Sequence, residues 1–135
     1  MMISLRCGHH ETPAANGVAS FYFGNNRGSY STIGRNLADF IQREIAARTP
    51  LTDCRVHERT WDILRLTRMP VVLIDVGYIT NPDDARVLED ADYRNVIAEA
   101  ILVAVKRLYL LGENDRPTGT YTFADLLAAE RISGF

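Results

Sequence analysis

The sequence predicts an α/β fold, and three patterns carry that expectation. Val71-Val72-Leu73-Ile74, directly after Pro70, is an unbroken apolar run of the kind found in strands covered on both faces at the centre of a sheet. Ile33, Leu37, Ile41 and Ile45 recur every four residues, which is a helical period. Val96, Ile97, Ala100, Ile101, Ala104, Val105 and Leu108 form a second stripe at helical spacing, suited to covering a sheet face.

Taken in chain order, Ile3 to Leu5 and Val18 to Phe23 read as strands, the second closed by the turn cluster Gly24-Asn25-Asn26-Arg27-Gly28. The first helix runs from about Ser31 until Pro50 forbids continuation. Arg55 to His57 is a candidate short strand. After the apolar run, Thr80-Asn81-Pro82-Asp83-Asp84 supplies an N-cap, a proline suited to the first turn and acidic side chains at the positive helix end, so a short helix to Leu88 follows. Asp92 is placed to cap the next helix, which Gly112 ends. Residues 1–111 are thus expected to form one domain. Residues 112–135 are expected to be a polar linker and a short terminal helix starting at Thr122.

Composition narrows the function classes. The chain has 135 residues, 47% apolar and 24% charged, the mixture of one soluble globular domain. Fifteen Lys and Arg against seventeen Asp and Glu give a net charge of -2, which disfavours nucleic acid as a partner. The apolar run Ala100 to Val105 falls far short of the roughly 20 residues needed to span a bilayer. No export signal opens the sequence, so a cytoplasmic location is expected. Two cysteines, Cys7 and Cys54, match no zinc or redox spacing and fit a reducing compartment.

Several stretches resemble one family, the zinc-dependent N-acetylmuramoyl-L-alanine amidases of the amidase-3 type, which cut the bond between muramic acid and the peptidoglycan stem peptide. Ala15-Asn16-Gly17-Val18, then Leu37-Ala38 and Gln42, follow its pattern, as does Asp62-Ile63-Leu64-Arg65 before Met69-Pro70. The strongest match is Met69 through Pro82, which resembles the family's catalytic-strand motif. Tyr93-Arg94, Ile97-Ala98 and Ala100-Ile101 resemble its last helix. The likeness covers about Ile3 to Tyr109 and corresponds to the C-terminal half of the domain. It implies a partial amidase-3 (zinc-amidase-like) three-layer fold, with a mostly parallel or mixed sheet flanked by helices.

A hydrolytic zinc needs three protein ligands, an open position for water and a nearby carboxylate to move the proton. The resemblance implies His, Glu and His, with the first two upstream of the segment matching Ile3. The third belongs to a motif that reads Ser4-Leu5-Arg6-Cys7-Gly8 here, so Arg6 stands where the family has histidine. A guanidinium stays protonated and offers no lone pair, so Arg6 opposes a cation. Asp75 stands where the family carries its catalytic Glu. Its carboxylate is one methylene shorter, which withdraws it from a metal-bound water.

Other chemically capable residues read more readily in plainer roles. Cys7, His9, His10 and Glu11 are all permitted zinc ligands, but adjacent histidines after a strand point apart and no second cluster follows, which favours a polar loop, with Cys7 an inert small hydrophobe. Asp75 reads more readily as a strand-end carboxylate, satisfied by a loop amide or paired with Arg6, than as a base. An Arg6–Asp75 pair would fill the vacated zinc position. His57 and Trp61 read as loop anchors rather than the lining of a muropeptide cleft. Tyr22, Tyr78 and Tyr109 read as structural, with their polar tips on water or backbone.

The resemblance, closest to an actinobacterial amidase-like branch that regulates wall synthesis, implies a catalytically degenerate protein of peptidoglycan metabolism that acts by binding a protein. By resemblance that partner is the enolpyruvyl transferase of precursor synthesis. No cofactor is expected. The alternative is an active zinc amidase, a peptidoglycan hydrolase of which this chain is a fragment; zinc belongs to that alternative. The tail Arg116-Pro117-Thr118-Gly119-Thr120-Tyr121-Thr122 is expected to be exposed. The resemblance implies phosphorylation at Thr118, Thr120 or Thr122, legible to a phosphothreonine-reading domain. A first strand at Met2 or Ile3 would lack the neighbours the family places before it, as in a truncated product, so its open edge invites self-association.

Overall fold

The computed structural model describes residues 1–110 and, beyond them, Ala124 and Leu127, both helical. Its elements are β1 (Met2–Gly8), β2 (Val18–Phe23), α1 (Thr32–Arg48), β3 (Asp53–Arg59), α2 (Asp62–Arg65), β4 (Val71–Tyr78), α3 (Pro82–Glu89) and α4 (Ala91–Leu110). The strands form one sheet in the order β1-β4-β2-β3, with β1 parallel to β4, β4 antiparallel to β2, and β2 parallel to β3. This is the α/β architecture expected, with a mixed sheet. The expected domain boundary at residue 111, the Gly112 stop, the linker and Thr122 lie outside the described residues.

β4 is buried on both faces, as its apolar run requires. Val72, Ile74 and Val76 join a core with α1 and α4, whereas Val71 and Leu73 pack with Phe21 and Leu64 on the opposite face. Side chains alternate along a strand, so one sequence feeds both layers.

α1 begins at Ser31, whose hydroxyl accepts the Gly34 amide at 3.0 Å. Leu37, Ile41 and Ile45 are fully buried, but Ile33 is 49% exposed. It lies in the first turn and lines a recess with Met1, Pro70, Leu108 and Tyr109. On the same helix Gln42 resolves a packing problem that β2 creates. Ser20 is fully buried, and its hydroxyl donates to Gln42 Oε1 at 2.9 Å. Gln42 Nε2 in turn donates to the Val18 carbonyl and to Asp53 Oδ1, each at 2.7 Å, joining α1 to β2 and β3. Burial raises the Asp53 pKa, but the bonds from Gln42 and the Arg55 amide and the Arg55 charge outweigh it, so the carboxyl titrates below its ordinary value.

α3 is capped by Asn81, whose Oδ1 accepts the Asp83 and Asp84 amides. The buried Asp84 carboxylate accepts the Gly17 amide at 2.8 Å and the Tyr78 amide at 2.9 Å, tying two loops to one helix start. Gly17 has φ +104, and a Cβ there would lie 2.5 Å from the Thr52 carbonyl oxygen, so the position requires glycine. α4 starts earlier than expected. Asp90 accepts the Asp92 amide at 2.8 Å, which places Asp92 inside the first turn instead of at the cap.

Two features were not anticipated. α2 is a single short turn, and Arg107 is fully buried inside the apolar stripe of α4. Arg107 Nη1 lies 2.8 Å from Glu44 Oε1, and Glu44 Oε2 takes Arg48 at 2.9 Å. The Arg107 guanidinium also rests over the Phe40 ring at 4.7 Å. Glu44→Ala would remove the carboxylate from this buried network, and is expected to cost about 3–5 kcal/mol in urea unfolding at neutral pH. Asp62→Ala, which breaks the exposed pair with Arg65, should cost less than about 1 kcal/mol in the same measurement.

Candidate functional site

Strand register builds the site. Arg6 of β1 lies opposite Asp75 of β4, and Asp75 lies opposite Ala19 of β2. Because Ile74 and Val76 turn into the helical core, Asp75 between them is delivered to the other face, where α2 leaves the sheet partly open.

There the two side chains meet as a bidentate pair. Arg6 Nε donates to Asp75 Oδ1 at 2.6 Å and Nη2 donates to Oδ2 at 2.9 Å. The Asp75 side chain is 14% exposed and that of Arg6 52%, so the carboxylate is recessed beneath its partner. The hydrogen bond to Asp75 raises the Arg6 pKa further, against a smaller opposing effect of burial, and the guanidinium stays charged at every physiological pH. To act as a base, Asp75 would have to surrender a hydrogen bond from a permanent cation.

An aromatic ledge borders the pair. Trp61 packs on Phe21 with ring centroids 4.7 Å apart, and His57 stacks on Phe21 at 5.5 Å. His57 Nε2 lies 2.7 Å from the Cys54 carbonyl oxygen. Arg6 sits over the Trp61 ring at 5.6 Å, and Arg59 lies over Trp61 at 5.8 Å and Phe21 at 5.5 Å. The sequence singled out His57 and Trp61 but missed Arg59. Its signal was its place at the end of a strand, two residues before the tryptophan.

The remaining candidates lie elsewhere. His9, His10 and Glu11 occupy the exposed loop after β1. His10 Nδ1 accepts the Thr12 amide at 3.0 Å, and the His10 amide donates to Thr80 Oγ1 at 3.2 Å. Among the described residues no group of three or more His, Cys, Asp or Glu side chains is arranged to hold a metal. Cys7, expected to be an inert small hydrophobe, is exposed on β1; Cys54 is the more buried thiol, and burial pushes its pKa up. Tyr22 is buried, and its hydroxyl donates to Glu58 Oε1 at 3.1 Å, so its tip reaches a carboxylate instead of water or backbone. Tyr109 is 59% exposed. Thr118, Thr120 and Thr122 lie outside the described residues.

A catalytic zinc does not fit these side chains. Both Asp75 oxygens are engaged by Arg6, and the guanidinium beside them has no lone pair to give.

Comparison with known proteins identifies relatives of this arrangement. The family model described as N-acetylmuramoyl-L-alanine amidase, Amidase_3, matches residues 1–107. The chain is 71% identical over 130 residues to a protein named N-acetylmuramoyl-L-alanine amidase CwlM from Mycobacterium tuberculosis, covering 96% of this chain and 32% of that protein. It is 29% identical over 96 residues to the probable cell wall amidase LytH of Staphylococcus aureus, covering 71% of this chain and 31% of LytH. The chain therefore spans about a third of the length of these curated relatives. Among solved structures, the catalytic domain of the amidase CwlV from Paenibacillus polymyxa var. colistinus superposes with a TM-score of 0.69 at 25% identity, over 79% of this chain and 56% of that one. Ami1 from Mycobacterium smegmatis shares the fold, with a TM-score of 0.62 at 23% identity, over 76% of this chain and 50% of that one.

The sequence contains one tryptophan, so its fluorescence reports on this ledge alone. Asp75→Ala should release Arg6 from its place over Trp61, changing the emission and making the indole more accessible to acrylamide while far-UV circular dichroism stays unchanged. Identical emission and quenching in the variant would show that Asp75 does not hold Arg6 there.

Proposed function

Given that this chain belongs to the N-acetylmuramoyl-L-alanine amidase family of peptidoglycan metabolism, we propose that it is a catalytically degenerate member, regulating cell-wall precursor synthesis by binding a protein. The observation that carries this reading is the bidentate Arg6–Asp75 pair. By the family resemblance, these two positions belong to a zinc-ligating histidine and the catalytic carboxylate. Here they pair with one another, with contacts of 2.6 and 2.9 Å, and the guanidinium in the histidine's place has no lone pair for a metal.

The partner proposed on this resemblance is the enolpyruvyl transferase that opens peptidoglycan precursor synthesis, which places the encounter in the cytoplasm. No helix among the described residues is long and apolar enough to cross a membrane. A phosphate on Thr118, Thr120 or Thr122 would add roughly -1.5 to -2 charge, and an arginine-lined phosphothreonine-reading domain would recognise it. The competing reading, zinc-dependent hydrolysis, draws on the amidase names of CwlM and LytH.

Metal analysis and a peptidoglycan digest separate the two readings. The protein purified at its full length, as in relatives of which this chain spans about a third, should hold no stoichiometric zinc and release no stem peptide. Arg6→His should not create hydrolysis either, since one restored ligand does not make a site that polarises an amide. One tightly held zinc per chain, together with stem-peptide release that Asp75→Ala abolishes, would establish the hydrolase instead. For regulation, kinase treatment should modify at least one of the three tail threonines and change affinity for the transferase. Equal affinity of the treated protein and its Thr→Ala variants would remove the tail from the proposal.

A further inference from the structure

We propose that Asn16 is a covalent modification site, a deamidation centre that reacts with the amide of Gly17 and that Asp84 keeps closed in the folded protein. The inference holds whether or not the chain hydrolyses peptidoglycan. Asn16-Gly17 is the only Asn-Gly pair in the sequence. Glycine has no Cβ to hinder approach of its nitrogen to the preceding side chain, so of all the asparagines this one is best placed to close a ring. Asn16 is exposed, so water reaches the reacting atoms.

The reaction needs no reagent but water. The Gly17 nitrogen gives up its proton and attacks Asn16 Cγ. The N–Cγ bond forms as the Cγ–Nδ2 bond breaks, and ammonia leaves carrying the proton. Water then opens the cyclic imide at either carbonyl, which yields aspartate or isoaspartate.

The folded geometry opposes the first step. Gly17 N donates to Asp84 Oδ2 at 2.8 Å, a buried bond that engages the proton the reaction must remove. A carboxylate at that distance also disfavours the deprotonated nitrogen, because the two would carry like charge. Asp84 is itself held at the start of α3, where its amide donates to Asn81 Oδ1 at 3.0 Å. Asn16 is restrained as well: its Nδ2 donates to the Ala14 carbonyl at 2.8 Å, and its own carbonyl accepts the Cys54 thiol at 3.2 Å.

The fold also makes the reaction one-way. Isoaspartate adds a methylene to the main chain before Gly17 and turns the carbonyl that takes Cys54 into a free carboxylate. Gly17 has no space for this: even a Cβ there would lie 2.5 Å from Cys54 Sγ and from the Thr52 carbonyl oxygen. The modified loop therefore cannot close again on Asp84, and a transient opening becomes permanent.

Peptide mapping by mass spectrometry in mildly alkaline buffer tests this on the protein purified at its full length. Isoaspartate at position 16 is expected to accumulate in urea-unfolded protein on the order of tenfold or more faster than in native protein, because only opened chains react. Asp84→Ala should accelerate the native reaction by on the order of tenfold, the effect of losing a hydrogen bond to a charged group. Asp84→Asn, which keeps a neutral acceptor in place, should fall between it and the wild type. Glu44→Ala, which weakens the core without touching the Gly17 amide, should leave the native rate near that of the wild type while far-UV circular dichroism shows it folded. The proposal fails if unfolded protein forms no product at position 16 or reacts no faster than native protein. It fails equally if folded Glu44→Ala reacts as fast as Asp84→Ala or, where Asp84→Ala does not fold, if Asp84→Asn reacts no faster than the wild type.

Discussion

Two-sided burial of β4 is the constraint from which the other features follow. A strand covered on both faces must be apolar at consecutive positions, and Val71 through Ile74 are buried to within a few per cent. The same alternation fixes what comes next. Val76 continues the helical face, so Asp75 must emerge on the other one, beside whatever β1 and β2 place there. The parallel register with β1 supplies Arg6, and the antiparallel register with β2 supplies Ala19, small enough to leave the pair room. Site geometry is thus a consequence of core packing, one residue further along the same strand.

The loops are held to this sheet by polar groups that the core cannot solvate. Asp84 gathers the Gly17 and Tyr78 amides, and Asn81 donates to the Pro13 carbonyl at 2.8 Å while capping α3. The segment after β1 is thereby pinned to the start of α3. Gln42 does the same at the other side of the sheet, binding Val18 and Asp53. Such hydrogen bonds add modest net stability each, but leaving any of these buried partners unmet would cost more. Residues that look like amidase motif positions, Gly17, Gln42 and Asn81, accordingly have structural work in this chain.

The sequence made parts of this legible and hid others for identifiable reasons. Val71–Ile74 and the stripes of α1 and α4 were readable because burial writes a period that many residues share. β3 was glimpsed only at Arg55–His57, although it runs Asp53–Arg59; as an edge strand it is polar, and its extent is set by backbone pairing with β2. α2 is too short to show a helical period. Arg107 interrupts an apolar stripe as a solvent-facing charge would, and its partner Glu44 lies 63 residues away, so nothing local marks the pair. At the site, pairing with Arg6 is one of two roles the sequence offers Asp75, the other being a loop amide, and it rests on the family resemblance that sets both residues at the zinc position. The Trp61 ledge over which Arg6 lies depends on tertiary contacts with Phe21 and Arg59 that no spacing announces.

A strand-end metal and a strand-end ion pair have different chemical powers but share a mechanical one. Either ties β1 to β4 where the sheet opens, and the bidentate geometry of Arg6 on Asp75 does so with two parallel hydrogen bonds on a planar fork. A divalent cation at such a position would also polarise a carbonyl and acidify water. A guanidinium saturated by its carboxylate offers neither effect. On the proposed reading, then, the exchange preserves the rigidity of the strand ends while removing the electrophile, so the fold can persist as a binding scaffold after the chemistry is gone. The cost of that arrangement falls on selectivity, because a half-exposed Arg6 stacked over Trp61 presents a cationic aromatic surface that a partner can contact directly.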